Sequence, residues 1–230
     1  MEKKLNICPY MIDLTPNIIL SKPQLGENIG SSARAMKNFG IEKLRLIEPR
    51  DGWPNSSAYA ISAGAGDVLN KINVFKSLEE ATKDISLLFA TTARKRVIGT
   101  KPLDVFEAID KSFHHVVNGG QVGFLFGPEQ SGLSNDDVVQ ADYTISIPLN
   151  QNFSSLNLSQ AVLLICWEWN KVKMSHLKED NLPIKVNKKL KKSTEISNVG
   201  DREYFYQQLD FLLSKSGFFH SPIYFYYLKF

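Results

Sequence analysis

The stretch from Gln121 to Gln160 constrains this chain more than any other. Val122 to Phe126 holds no polar side chain, reads as a buried strand and stops at Gly127-Pro128-Glu129. Tyr143 to Ile147 reads as a second strand and stops at Pro148. Phe153-Ser154-Ser155-Leu156-Asn157-Leu158-Ser159 then opens a helix. Apolar runs of this length suit strands covered on both faces, as in a parallel sheet between layers of helices. Open α/β sheets bind ligands beyond the C-terminal ends of their strands. The two loops that follow these strands are therefore the candidate functional centre.

The rest of the chain repeats the pattern. Asn17 to Leu20 reads as a first strand. A helix follows with Asn28 as its N-cap, Ser31 and Ser32 in its first turn, and Ile29, Ala33 and Met36 on its buried face. Gly40 suits its C-terminus. Leu44 to Ile47 is a strand stopped by Pro49, and Asn55 to Val68, rich in Ala, Ser and Gly, reads as one closely packed helix. Ile72 to Phe75 reads as a strand and Leu78 to Lys83 as a short helix. Ile85 to Ala90 is another buried strand, ending in the polar loop Thr91-Thr92-Ala93-Arg94-Lys95-Arg96. Pro102 to Ile109 fits a helix with Pro at its first position. In the helix from Leu158 to Val172, Leu158, Val162, Ile165, Trp169 and Val172 form one stripe, while Leu163 and Trp167 lie off it. Such a helix is expected to be covered twice, by the sheet and by a partner chain. Strands alternating with helices predict an α/β fold, a mostly parallel sheet flanked by helices.

Charge divides the chain. The net charge is +3, yet eight of the lysines and only two acids fall between Lys171 and Lys192. Residues 1–172 read as one domain, 173–200 as a basic linker, and 201–230 as a short, truncated helical C-terminal extension. Within the last, Glu203 to Leu213 is an amphipathic helix and Phe218 to Phe230 is strongly aromatic. Cys8 and Cys166 match no metal-ligand spacing, and Cys166 is expected to be a buried free thiol. No apolar run approaches the about 18 residues of a membrane helix, and the N-terminus lacks the apolar core of a signal peptide. A cytoplasmic chain, with no membrane and no metal partner, is expected.

Several common chemistries find no support. No Gly-x-Gly-x-x-Gly opens a helix after a strand, no Gly-x-x-x-x-Gly-Lys-Ser/Thr occurs, and no serine sits in Gly-x-Ser-x-Gly. The four histidines, His114, His115, His176 and His220, form no zinc or triad set in sequence. What remains is three pieces in order. They are Asn28-Ile29-Gly30-Ser31-Ser32-Ala33-Arg34; Phe126-Gly127-Pro128-Glu129-Gln130-Ser131-Gly132-Leu133-Ser134-Asn135; and Ile147-Pro148 followed by Ser154-Ser155-Leu156-Asn157-Leu158-Ser159-Gln160-Ala161. Together they resemble the SpoU (TrmH-type) branch of the SPOUT RNA methyltransferases, and within it the bacterial TrmJ subgroup of tRNA 2′-O-methyltransferases. The resemblance covers residues 15 to 172.

That resemblance implies a deep trefoil knot in the C-terminal part of the domain, S-adenosyl-L-methionine as cofactor, and a homodimer with the cofactor sites near its interface. The implied reaction is methyl transfer to a ribose 2′-hydroxyl of tRNA, on cytidine or uridine, at position 32 of the anticodon loop. Carried over residue by residue, the catalytic set is Arg34, Ser155 and Asn28. Arg34 engages the target phosphate, and Ser155 orients the 2′-hydroxyl. The cofactor set is Thr91, Thr92, Ala93, Gly127, Glu129, Ile147, Ser154, Ser155, Leu156 and Asn157. Gly127 lets backbone approach closely, Pro128 stiffens the turn, and Ile147 and Leu156 wall the adenine. Glu129 could hold loop backbone amides. Asn28 and Asn157 stand at helix starts, where each is either a cap alone or a cap that also holds substrate. Arg94, Lys95, Arg96 and the lysine-rich segment supply salt-sensitive RNA affinity. SPIYFYYLKF departs from the helical extension of the subgroup and puts tRNA affinity in question. The rival readings are a knotted RNA-binding protein without activity, and a 2′-O-methyltransferase of rRNA or of another tRNA position.

Overall fold

The structure is a computed structural model that describes residues 13–92, 102–150, 152–153, 155–178, 196–216 and 218. In chain order its elements are β1 (Asn17–Ser21), α1 (Gly26–Asn38), β2 (Lys43–Ile47), α2 (Ser56–Ile61), α3 (Gly66–Leu69), β3 (Asn73–Phe75) and α4 (Leu78–Thr82). Then come β4 (Leu87–Thr91), α5 (Val105–Val117), β5 (Val122–Phe126), α6 (Asn135–Val139), β6 (Tyr143–Ile145), α7 (Leu158–Lys178) and α8 (Val199–Lys215). The six strands form one sheet in the order β3-β2-β1-β5-β4-β6, and every pairing is parallel.

Strand periodicity sorts side chains onto the two faces. Ile18, Leu20, Phe89, Phe124 and Phe126 point into one core with Ile29 and Met36 of α1, Phe113 of α5, and Val162, Ile165 and Trp169 of α7. Ile19, Leu88, Ala90 and Leu125 point the other way, against Leu78 of α4, Val138 of α6 and Val199 of α8. All five residues of β1 and of β5 are buried, which explains their apolar runs. The larger core centres on Trp169. Its ring meets Phe113 and Phe124 edge-on, and its indole N–H donates to the Leu14 carbonyl at 3.2 Å.

Helix limits depart from the sequence reading at identifiable points. Helix α1 starts at Gly26, so Asn28 lies inside it; the N-cap is Leu25, which makes no side-chain cap bond. The predicted single helix over Asn55 to Val68 is two short ones. Ala63 and Gly64 adopt φ of 45° and 91° between α2 and α3 and break it. Its predicted close packing is present: a Cβ on Gly30 would lie 2.2 Å from the Ala58 carbonyl oxygen. Pro102 does not start α5. Asp104 is its N-cap and forms a reciprocal capping box with Glu107, while Leu103 bridges to Ile145. Helix α7 runs past Val172 to Lys178.

The start of α8 is seated on the body. The Val199 and Gly200 amides donate to the Ile85 and Lys83 carbonyls at 2.6 and 3.2 Å. Arg202 pairs with Asp142 at 3.1 Å, and Asp142 also accepts the Leu88 amide. Further along, Tyr204, Phe205, Phe211 and Leu212 are exposed, so α8 buries little beyond Val199. Residues 93–101, which leave β4, lie outside the described residues, as does the expected threading of the backbone into a knot. Most of the basic segment and of the aromatic C-terminus lies outside them too.

Cys166 is a free, fully buried thiol on α7, and burial pushes it up to about 12. A thiol held this far from its ionised form is a poor nucleophile. A Cys8→Ser chain is therefore expected to stay silent toward an aromatic disulfide reagent until denatured. Immediate reaction of that variant in its folded state would contradict the packing described.

Candidate active site

Beyond the C-terminal ends of β4, β5 and β6 the chain encloses a cavity of 290 Å³. Thr91 and Thr92 border it from β4, Phe126 to Gln130 with Gly132 and Leu133 from the loop after β5, and Ile147 and Leu149 from the segment after β6. Ser155, Leu156, Leu158 and Ala161 close it from the start of α7. Apolar walls thus meet hydroxyls and loop backbone, the mixed lining of small-molecule sites. Its volume sits at the small end of the roughly 300–1,000 Å³ usual for such sites. Larger clefts of 530 and 450 Å³ exist, but charged side chains such as Lys22, Glu48 and Asp137, or Lys43 and Glu42, line them.

The loop after β5 owes its shape to contact with itself. A Cβ on Gly127 would lie 2.3 Å from the Leu133 amide nitrogen and 2.4 Å from the Gly132 carbonyl carbon. The Gly132 amide donates to the Pro128 carbonyl at 2.8 Å, and Gly132 has φ of 65°. Glycine at 127 is required by the chain's own backbone, before any ligand is considered. Strand ends are tied across the cavity floor: the Thr91 hydroxyl donates to the Leu125 carbonyl at 2.9 Å, and the Thr92 amide to the Ile145 carbonyl at 3.0 Å.

Glu129 joins this loop to the first motif. Its carboxylate accepts from the Gln24 amide at 2.8 Å, the Leu25 amide at 3.2 Å and the Asn28 side-chain amide at 2.6 Å. Leu25 cannot cap α1, and a carboxylate from elsewhere in the chain sits at the positive end of that helix instead. Asn28 is 6% exposed, and its Oδ1 accepts from Asn157 Nδ2 at 2.9 Å. Asn157 Oδ1 in turn accepts from the Ser159 amide at 2.9 Å, capping α7. The direction of every bond is fixed by its ends, since a carboxylate only accepts and a backbone amide only donates. Asn157 is thus a cap and also a link; Asn28 is a link and not a cap.

The cavity brings together Thr91, Thr92, Gly127, Glu129, Ile147, Ser155 and Leu156 of the residues singled out in the sequence, and Asn157 stands behind its wall. Ala93 and Ser154 lie outside the described residues, as do Arg94, Lys95 and Arg96. Arg34 lies in the third turn of α1, exposed, without a hydrogen bond or ion pair to any described residue, and outside the cavity lining. Leu133 and Ala161, in the motif pieces but given no role there, also line the cavity, and Leu149 escaped the sequence reading altogether. Leu149 offered a signal, an apolar residue just after Pro148.

The sequence profile of the SpoU rRNA Methylase family matches residues 15–167. The chain belongs to that family. A tRNA (cytidine/uridine/adenosine-2′-O-)-methyltransferase TrmJ from Pseudomonas aeruginosa (strain UCBPP-PA14) is 34% identical over 211 residues, covering 90% of this chain and 80% of the relative. A tRNA (cytidine/uridine-2′-O-)-methyltransferase TrmJ from Yersinia pestis (strain Pestoides F) is 36% identical over 203 residues, covering 87% of this chain and 76% of the relative. The crystal structure of TrmJ from Z. mobilis ZM4 superposes with a TM-score of 0.74 at 40% identity, covering 91% of this chain and 84% of that one. The family profile spans all three motif pieces, and the fold is the parallel sheet flanked by helices that the sequence predicts.

Glu129 is the joint of this SpoU-family site. Removing a charged acceptor from three donors costs about 1–3 kcal/mol. Glu129→Ala is expected to lower unfolding stability in urea by that amount, and Glu129→Gln by less, because one acceptor oxygen remains. Equal stability of Glu129→Ala and the parent chain would show that the three bonds do not hold α1.

Proposed function

We propose that this chain is an S-adenosylmethionine-dependent RNA methyltransferase acting on a ribose 2′-hydroxyl of tRNA, on cytidine or uridine, at position 32 of the anticodon loop. The observation that carries this reading is the cavity beyond β4, β5 and β6. It is lined by the second and third of the pieces that bear the SpoU resemblance, and the first is tied to it through Glu129 and Asn157, in a chain that spans most of the length of relatives named as tRNA 2′-O-methyltransferases. When bound, S-adenosylmethionine supplies a methyl group on a sulfonium, a leaving group already activated, so the protein's task is mainly alignment.

The lining fits such a cofactor. Ile147, Leu149, Leu156 and Leu133 give a flat base apolar walls, and Thr91, Thr92 and the backbone of 127–132 give a ribose donors and acceptors. Ala93 and Ser154 belong to the same proposed set. Ser155 borders the cavity, is exposed, and is placed to orient the 2′-hydroxyl. Arg34, charged and without a described partner, takes the target phosphate in its planar fork. A guanidinium does not give up its protons, so the 2′-hydroxyl proton leaves through the phosphate or through Ser155. Asn28 and Asn157 keep α1 and the Ser155 loop in register.

The same reading includes a homodimer and a trefoil knot. Leu163, Leu164, Trp167 and Met174 form an exposed apolar stripe on α7, opposite the buried stripe of Val162, Ile165 and Trp169. Phe39 at the end of α1 meets Trp167 edge-on at 5.9 Å, which extends the stripe toward the helix that carries Arg34. A second copy on this surface would lie beside Arg34, which its own cavity lining does not include. The lysines between Lys171 and Lys192 supply salt-sensitive RNA affinity in this reading. Among the described residues no helix is long and apolar enough to cross a membrane, and we place the chain with tRNA in the cytoplasm.

Methyl transfer from radiolabelled cofactor to tRNA transcripts tests the proposal. The parent chain is expected to label tRNA, and Arg34→Ala to lose about a hundredfold or more in turnover while cofactor affinity stays unchanged. Near-parental turnover of Arg34→Ala would overturn its assignment, and a folded chain that labels no tRNA would overturn the proposal. Trp167→Asp is expected to turn a dimer into a monomer in light scattering. An unchanged mass would remove α7 from the interface.

A further inference from the structure

We infer that Asp110, His114 and His176 form a binding site for a borderline transition-metal ion of the Zn²⁺ class, remote from the cavity and independent of the proposed reaction. The histidines form no set along the sequence, but the fold brings two of them together. Asp110 and His114 are one turn apart on α5, and His176 is in the last turns of α7, which packs against α5. One potential ligand atom from each lies within 4.8 Å of the others. His114 Nε2 is 3.8 Å from Asp110 Oδ1, and the two imidazoles stand at 80° with centroids 5.3 Å apart.

The cluster has a fixed member and two movable ones. The His176 ring stacks on Phe113 at 4.8 Å and 16°, and Phe113 is itself fully buried against Trp169. No described residue hydrogen-bonds a His176 ring nitrogen. The His114 and Asp110 side chains are 61% and 43% exposed. Tetrahedral zinc with ligands at about 2.0–2.2 Å needs the donors closer together than they are here, and rotation of these two exposed side chains closes the gap. Two imidazoles and one carboxylate favour Zn²⁺ over Ca²⁺ or Mg²⁺, which prefer all-oxygen shells. Three protein ligands leave a fourth position for water.

The site's place in the chain gives it a consequence. Helix α7 begins beside the cavity at Leu158 and reaches the cluster at His176, within the first part of the lysine-rich stretch that runs to Lys192. A bound ion would clip the last turns of α7 to α5 and fix where that stretch departs.

Titration of the untagged full chain, stripped of metal, with ZnCl₂ in a calorimeter tests this. One saturable Zn²⁺ per chain is expected, with a thermal midpoint that rises with Zn²⁺. His114→Ala, which touches no core residue, and His176→Ala should each weaken binding by at least about tenfold and abolish the Zn²⁺-dependent rise, while His220→Ala keeps both. Parental affinity in His114→Ala and His176→Ala, or no saturable uptake by the folded parent chain, would overturn the inference.

Discussion

The start of α1, whose N-cap Leu25 makes no side-chain bond, is held by a carboxylate from far along the chain. Glu129, about a hundred residues from Leu25, accepts the Gln24 and Leu25 amides just ahead of the helix and the Asn28 side-chain amide. Asn28 passes the connection to Asn157, which caps α7. One chain of hydrogen bonds thereby locks together the start of α1, the loop after β5 and the start of α7. The cavity is what lies between these pieces and the strand ends. A partly buried chain of this kind is costly when half satisfied and rigid when complete; here each named acceptor has a donor.

This bond chain also explains which parts of the molecule the sequence could disclose. The limits of β5 are legible to the residue, because a strand buried on both faces is apolar throughout and ends where a polar loop begins; β1 and β2 are nearly as legible, although Lys43 and Arg45 of β2 are only half-buried. The asymmetric faces of α1 and α7 are legible for the same reason. The start of α1 is not, since the carboxylate that holds it comes from Glu129 and nothing local marks it. Asn28 looks like a cap and is instead an internal link. The break between α2 and α3 was marked by Gly64 and Gly66, poor helix formers, amid the alanines that suggested one continuous helix. The start of α5 was readable: Asp104 and Glu107 have capping-box spacing, and Pro102 draws attention three residues ahead of Val105, the first helical residue.

The candidate site divides in a similar way. Loops that follow buried strands announce themselves, so most of the lining could be named in advance. What could not be read is why glycine stands at 127. Its neighbour is the Gly132–Leu133 backbone, so the residue shapes the loop that shapes the cavity. Arg34 lies apart from the lining, on an exposed face of α1, close to the end of the helix where Phe39 meets Trp167. His114 and His176 are 62 positions apart, and only the packing of α5 on α7 makes them neighbours.

The central claim is that the space beyond β4, β5 and β6 holds S-adenosylmethionine. Calorimetric titration of the folded chain with the demethylated product, S-adenosylhomocysteine, tests it most directly. The account predicts saturable binding of one molecule per chain, lost in Leu156→Asp, which puts a charge into the apolar wall without disturbing the buried core. A folded parent chain that takes up none, or a Leu156→Asp chain that binds as well as the parent, would contradict it.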